Sequence, residues 1–218
     1  MSGLNNFLMH PTKTEQLTIQ NYNSFADLYA AGMTQDFWLP ELKKFTQYLP
    51  AAVRTEILEI GSGSGREAEY FANKGYQYLG SDVSTALLKL AQKRNPQLAF
   101  KNLTVYELKT LGKKRFAGFW AAASLLHLPK SRIASALKNL HFVTKNNGMG
   151  FISLIKGCGQ NSYRSRRNPE FIRYFSYYLI PGFSKLLKKH GFVVLETNEK
   201  DIDERTTFLN FYVKVKPL

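Results

Sequence analysis

The chain has one cysteine, Cys158, in 218 residues. That excludes an internal disulfide and any cysteine-built metal centre, and it agrees with a reducing compartment. No run approaches the roughly 18 uninterrupted apolar residues of a spanning helix, and Met1 to Pro11 shows no basic segment followed by an apolar one. A soluble, cytoplasmic protein with no membrane partner is the expectation, and the sequon at Asn102 then carries no information. Repeats, low-complexity tracts and dividing linkers are also missing. With 44% hydrophobic residues, the chain is expected to form a single domain, residues 1–50 being a helical extension or lid and residues 51–218 the core. Carboxylates are scarce, 16 against 30 lysines and arginines, for a formal charge of +14. Between Glu107 and Glu170 there is none, while the same span holds Lys109, Lys113, Lys114, Arg115, Lys130, Arg132, Lys138, Lys145, Lys156, Arg164, Arg166 and Arg167. Such a surface attracts anionic partners, RNA among them, although solvated helix faces give the same count and charge alone does not choose.

What is present alternates. Strand-length apolar runs occur at Glu56 to Ile60, Tyr76 to Ser81, Leu98 to Asn102, Phe116 to Ala123, Met149 to Lys156, Phe192 to Thr197 and Thr207 to Val215. Helix-length amphipathic stretches separate them at Arg66 to Lys74, Thr85 to Arg94, Arg132 to Thr144 and Pro181 to His190. This order predicts an α/β fold, a Rossmann-like, mostly parallel sheet of seven strands with helices on both faces. The charged stretch Glu199 to Arg205 leaves no room for a crossover helix, so a hairpin makes the last strand antiparallel. Two further helices, Tyr22 to Ala31 and Leu39 to Tyr48, precede the alternating core.

The strongest local signal is Glu59-Ile60-Gly61-Ser62-Gly63-Ser64-Gly65, directly after one strand and before a helix. Glycines let a backbone turn tightly and approach a ligand, and a helix start offers free N–H groups. No Gly-Lys-Ser/Thr follows, which excludes the phosphate loop of nucleoside triphosphatases. The second strand ends at Asp82, about 20 residues on, where a carboxylate can hold a ribose diol or equally cap the next helix beside Ser84. Spacing does not separate NAD from another adenosine cofactor.

The run Glu59 to Ala68 resembles the first motif of class I S-adenosylmethionine-dependent methyltransferases, and Gly80 to Ser84 resembles their second. Phe119 to Pro129 is similar to the fourth-strand motif of a bacterial branch of that superfamily, Leu140 to Gly150 to the helix and turn before strand five, and Arg173 to Tyr178 to an aromatic segment before the last helix. Coverage runs from about Tyr22 to the C-terminus. The resemblance implies S-adenosyl-L-methionine as cofactor. It implies that Gly61, Ser62, Gly63 and Gly65 line the methionine part, that Glu59 braces the loop, that Asp82 holds the ribose and that Val83 packs on the adenine. Ala121 and Ala122 would offer carbonyls to the ammonium, and Tyr22 and Tyr29 would close over the ligand. Two positions depart from the pattern. Relatives carry an aspartate after strand three where Thr104, followed by Val105, meets the adenine, and the usual Phe-Asp before strand four is Phe116-Ala117.

Methyl transfer from a sulfonium needs an aligned nucleophile, and positioning supplies most of the acceleration. The segment beyond strand four holds no carboxylate, which leaves His127 as the candidate base, with filling of the loop as its alternative role. Neither the Asn-Pro-Pro-Tyr signature of exocyclic-amine methylation nor a suitably placed cysteine nucleophile occurs. The insertion Gly157 to Tyr178 mixes Arg164, Arg166, Arg167 and Arg173 with tyrosines, and Arg173, Tyr174, Tyr177 and Tyr178 are the expected acceptor contacts. The expected activity is methylation of a nitrogen or oxygen of a small molecule, without a metal. A tRNA methyltransferase using the basic span, and a non-catalytic nucleoside- or nucleic-acid-binding module, are the alternatives.

Overall fold

The computed structural model describes residues 9–32, 34, 36–51, 55–166 and 168–217. Arg167 of the basic span and the first eight residues, part of the expected extension, lie outside them. The core alternates as β1 (Glu56–Ile60), α4 (Ala68–Asn73), β2 (Gln77–Asp82), α5 (Thr85–Arg94), β3 (Ala99–Asn102), β4 (Phe116–Ala122), α6 (Ile133–Val143) and β5 (Thr144–Lys156). After a hairpin of β6 (Gln160–Arg164) and β7 (Ile172–Tyr178) come α7 (Ile180–Lys189), β8 (Phe192–Asp203) and β9 (Thr206–Val215). The sheet runs β3-β2-β1-β4-β5 in parallel. Antiparallel β9 then pairs with β5 and β8 with β9. The chain therefore has the Rossmann-like α/β architecture with an antiparallel last strand.

Two side-chain layers fix this sheet. On one face Leu137 and Leu140 of α6 and Phe183 and Leu187 of α7 pack with Phe119, Phe192 and Phe211. On the other, Phe45 and Phe71 meet Trp120, whose ring stacks on Phe151 with centroids 4.0 Å apart. Aromatic pairs of this kind add about 0.5–1.5 kcal/mol each beyond area burial. Among the described residues, no helix is long and apolar enough to cross a membrane.

Three N-terminal helices lie outside the sheet: α1 (Lys13–Ser24), α2 (Ala26–Ala31) and α3 (Leu39–Gln47). The periodicity of Tyr22 to Ala31 reveals α2 but not most of α1, because the residues α1 buries, Glu15 and Thr18, are polar. Its start is set by a capping box, in which Glu15 N donates to Thr12 Oγ1 over 3.3 Å and Thr12 N donates to Glu15 Oε2 over 2.8 Å. The insertion after β5 is likewise an ordered hairpin rather than an irregular loop. β7 joins the sheet by pairing Ile155 with Tyr177 and Lys156 with Tyr178, and β6 pairs antiparallel with β7.

Candidate cofactor site

The carboxyl ends of β1, β2 and β4 open into a cavity of about 1090 Å³, its mouth included. Its floor is the glycine loop. Gly61, Gly63 and Gly65 have φ of +72°, +54° and +70°, the left-handed region that costs an L-residue roughly 1–2 kcal/mol. At Gly61 space is also short, since an added Cβ would lie 2.4 Å from Ser124 Cβ. Gly65 plays another part: a Cβ there would strike Asn95 and Ala91, so it seats the loop against α5 and does not line the cavity.

Asp82 is almost fully buried at the end of β2. It accepts from Gly63 N and Ser84 N, each over 2.8 Å, and so ties the glycine loop to the start of α5. Burial raises its pKa, opposed by the N–H groups of Ser84, Gly63 and Val83. Behind the loop, Tyr78 OH donates to Glu59, and burial, followed by the nearby Glu67, holds the Glu59 pKa well above the usual carboxylate range. Glu67 is raised by burial too, opposed by Arg66, which lies 3.9 Å from it. The Glu59–Tyr78 bond joins β1 to β2 just before the loop, and Glu59 also lines the cavity.

Gly61, Ser62, Gly63, Val83, Thr104, Val105, Ala122, Tyr22 and Tyr29 line the cavity as well. Ala121 is buried beside it and does not. Thr104 holds Glu107 Oε2 from both its N and its Oγ1, 2.8 Å each, which commits its hydroxyl hydrogen and leaves only acceptor capacity toward the cavity. Two buried hydroxyls on the wall, Ser62 Oγ and Ser124 Oγ, have no protein partner.

The roof is α1, backed by the β6–β7 hairpin. Thr18 Oγ1 accepts from Tyr174 N over 3.0 Å and Asn21 Oδ1 from Ile172 N over 2.8 Å, so the helix satisfies the free edge of β7 with side chains. Asn23 Oδ1 accepts from Ser84 Oγ over 2.8 Å and from Ala86 N over 3.1 Å, fastening the helix end to α5. At the other end Glu15 Oε1 accepts from Tyr106 OH over 2.6 Å, and Arg132 lies 3.5 Å from Glu15 Oε2.

His127 sits where roof and wall meet. Its Nδ1 is 2.7 Å from the Tyr174 carbonyl, which only accepts, so Nδ1 carries the proton. Nε2 then accepts from Tyr22 OH over 2.9 Å. Burial lowers the His127 pKa to about 3, against the carbonyl, which raises it, and with Arg173, which lowers it further. The imidazole is neutral at physiological pH, and both its nitrogens are engaged in this closed arrangement. Arg173 lies 6.0 Å above the Tyr22 ring and 4.5 Å above Phe171. None of Arg173, Tyr174, Tyr177 and Tyr178 lines the cavity: Arg173 stands behind Tyr22, Tyr178 packs on Phe183, and Tyr177 packs beside Phe175. Glu15, Trp38, Arg66 and Ser124 are wall residues that the motifs did not single out. For Glu15 the Thr12-to-Glu15 capping box was a usable signal; for Trp38 there was none.

Residues 57–148 match the methyltransferase domain family. Among curated proteins, the bifunctional biotin biosynthesis protein BioHC of Cellvibrio japonicus is 28% identical over 109 residues, half of this chain and 21% of that protein. The ubiquinone biosynthesis O-methyltransferase of Alkalilimnicola ehrlichii is 32% identical over 77 residues, 34% of this chain and 31% of that protein. The matched stretches thus span less than a third of either relative. Among solved structures, the Burkholderia thailandensis 1,6-didemethyltoxoflavin-N1-methyltransferase, with bound 1,6-didemethyltoxoflavin and S-adenosylhomocysteine, superposes with a TM-score of 0.70 at 18% identity over 99% of both chains. An S-adenosylmethionine-dependent methyltransferase from Clostridium acetobutylicum gives 0.68 at 15% identity, over 90% of this chain and 99% of that one. Residues 57–148 thus match a methyltransferase domain across the glycine loop, Asp82 and β4, and the fold is the one these S-adenosylmethionine-dependent methyltransferases share.

Proposed function

We propose that the protein binds S-adenosyl-L-methionine in this cavity and transfers its methyl group to a nitrogen or oxygen of a small-molecule acceptor, in a reducing, cytoplasmic setting. The observation that carries the reading is the pairing of Asp82 with the glycine loop on one wall, beside the partnerless buried hydroxyls of Ser62 and Ser124. A buried hydroxyl without a partner costs about 1–3 kcal/mol, so the wall fits a polar ligand that supplies the missing bonds.

When bound, the cofactor supplies an electrophilic methyl on a sulfonium. The chain's own residues bind and orient. Asp82 would accept from the ribose hydroxyls, Ser62 and the backbone of Gly61 and Gly63 would meet the methionine arm, and the Ala122 carbonyl would accept from its ammonium. Val83, Thr104 and Val105 enclose the adenine, and Glu59 keeps the loop in place through Tyr78. Tyr22 and Tyr29, edge to face with centroids 5.1 Å apart, exclude water above the reacting end. His127 faces the cavity through the Tyr22 hydroxyl; with its pKa lowered to about 3 it is a weak base in this closed arrangement, and it would receive a proton from the acceptor only where displacement of that hydroxyl also relieved its burial. Arg173 holds Tyr22 from behind and so acts on the acceptor through it.

A small acceptor is favoured over RNA because, among the described residues, no lysine or arginine of the basic span lines this cavity. Of all the lysines and arginines among the described residues, Arg66 alone lines it. The structural relative that matches over 99% of both chains is described with a small heterocycle bound, and the ubiquinone relative as an O-methyltransferase. Replacement of Asp82 by Ala should weaken S-adenosylmethionine binding at least tenfold in calorimetry, the loss of about 1.4 kcal/mol. Unchanged affinity would overturn the site. Label from methyl-tritiated S-adenosylmethionine should appear in a metabolite extract and not in small RNA; label confined to RNA would overturn the acceptor class.

A further inference from the structure

The acid-free stretches of the chain converge in space. No aspartate or glutamate occurs in residues 108–169, 171–195 or 205–218, which together supply β4, α6, β5, α7 and all of β9. Since α6 precedes β5 and α7 precedes β8, both helices run against the parallel strands and end at the sheet edge opposite the cavity. His141, near the end of α6, is the hub of that edge. Its Nε2 donates to the Lys216 carbonyl over 3.1 Å, its own carbonyl accepts from Lys114 Nζ over 3.0 Å, and Gly191, just past α7, packs on its ring. Around it Lys113, Lys138, Lys145, Lys189 and Lys216 are exposed. Lysines at helix ends are ordinary complements to the helix dipole. Here they lack counterions: none of these five enters an ion pair among the described residues, and Glu56, the neighbouring carboxylate on β1, is held by Arg115 at 2.8 Å. Two histidines lie within the field of these lysines. Burial and Lys114 lower the His141 pKa, and burial with Lys138 and Lys189 lowers that of His190.

We infer that this edge is a docking face for the phosphodiester backbone of a nucleic acid, separate from the methyl-acceptor site. Charge complementarity selects the occupant, and the apolar inventory narrows it. No large apolar side chain of α6 or α7 is exposed, and Val193 at the start of β8 is a single half-exposed valine beside them, too little apolar surface to insert into an acidic membrane. Separation follows from β4, whose seven residues place its two ends about 20 Å apart at ~3.3 Å per residue. The basic span of the sequence is therefore split. Lys156 and Arg164 fall at the cavity end of the sheet, where Lys156 pairs with Glu199 at 2.7 Å and Arg164 donates to the Pro169 carbonyl.

The test is fluorescence anisotropy of a labelled single-stranded RNA, and of DNA of the same sequence, titrated with the full chain over a range of salt. Binding of either polymer should weaken with a log–log slope of about −0.7 per phosphate neutralised. The triple variant Lys113→Ala, Lys138→Ala, Lys189→Ala should flatten that slope by about 2 and lower affinity at least tenfold at low salt, with the thermal midpoint unchanged. A charge-matched control, Lys89→Ala, Lys93→Ala, Lys101→Ala, lies on exposed positions of α5 and β3 and should keep wild-type slope and affinity. Equal weakening by both triples would reduce the effect to net charge and overturn the inference. So would binding to phosphatidylserine vesicles with no binding to either polymer.

Discussion

Replacing Gly61 by alanine tests whether the loop after β1 is shaped by close approach as well as by turning. At φ +72° the alanine pays the left-handed penalty of about 1–2 kcal/mol. Its Cβ also arrives 2.4 Å from Ser124 Cβ and 3.3 Å from Ser124 Oγ, well inside contact distance. Overpacking of this kind costs about 1–3 kcal/mol, so the single variant should lose about 2–5 kcal/mol in urea unfolding. Ser124→Gly removes the atom that is struck but leaves the dihedral unchanged. The double variant Gly61→Ala, Ser124→Gly should therefore recover about 1–3 kcal/mol relative to additivity and keep the rest of the deficit. A strictly additive cycle would refute the close approach between the loops after β1 and β4. A single variant within about 0.5 kcal/mol of wild type, the ordinary range for neutral surface changes, would refute the loop conformation itself.

Two further outcomes follow from the roof. His127 titrates near its usual 6.5 when unfolded and at about 3 when folded, so below 6.5 the unfolded chain binds the extra proton and stability falls with acid. The expected contribution is a slope approaching about 1.4 kcal/mol per pH unit between those values, and His127→Gln should remove it. Asp82, Glu59 and Glu67 are raised and act with the opposite sign, so the measurement is the difference between wild-type and variant urea midpoints across pH. Parallel curves would show that His127 is not held neutral. Thr18→Val keeps the shape of α1 and leaves the Tyr174 N–H without its acceptor, at a cost of about 1–3 kcal/mol. Amide exchange at Tyr174 should then accelerate by about tenfold or more, and an unchanged rate would mean that α1 does not hold the edge of β7.

The sheet was legible because its strands obey rules that a sequence displays. β1, β4 and the stretch of β5 from Gly148 to Leu154 are buried on both faces and read as largely apolar runs, while the short spacing between β8 and β9 forbids a crossover and so dictates an antiparallel partner. α1 escaped for the converse reason. It is held by hydrogen bonds that Thr18, Asn21 and Asn23 accept from backbone N–H groups far along the chain, and a helix that buries polar atoms against specific partners has the same periodicity as one facing water. Only its capping box, a local interaction, left a mark in the sequence.

The same distinction divides the site. Gly61, Gly63 and Asp82 were recoverable because backbone conformation and helix starts restrict residue type at a fixed spacing. The insertion was weighed by composition instead, and composition does not say which way a side chain points. Its arginine and tyrosines suggested contacts to a ligand, yet Tyr174 and Tyr178 face the core and Arg173 stands behind Tyr22, which reaches the cavity in its place. What the hairpin contributes is backbone: the Tyr174 carbonyl fixes the tautomer of His127, and the Tyr174 and Ile172 N–H groups hold α1. Contributions of that kind are independent of residue identity at the donor, so no motif records them. They predict that substitutions of Tyr174 that preserve β7 will leave the His127–Tyr22 contact in place, whereas a proline there, lacking the N–H that Thr18 receives, will release α1.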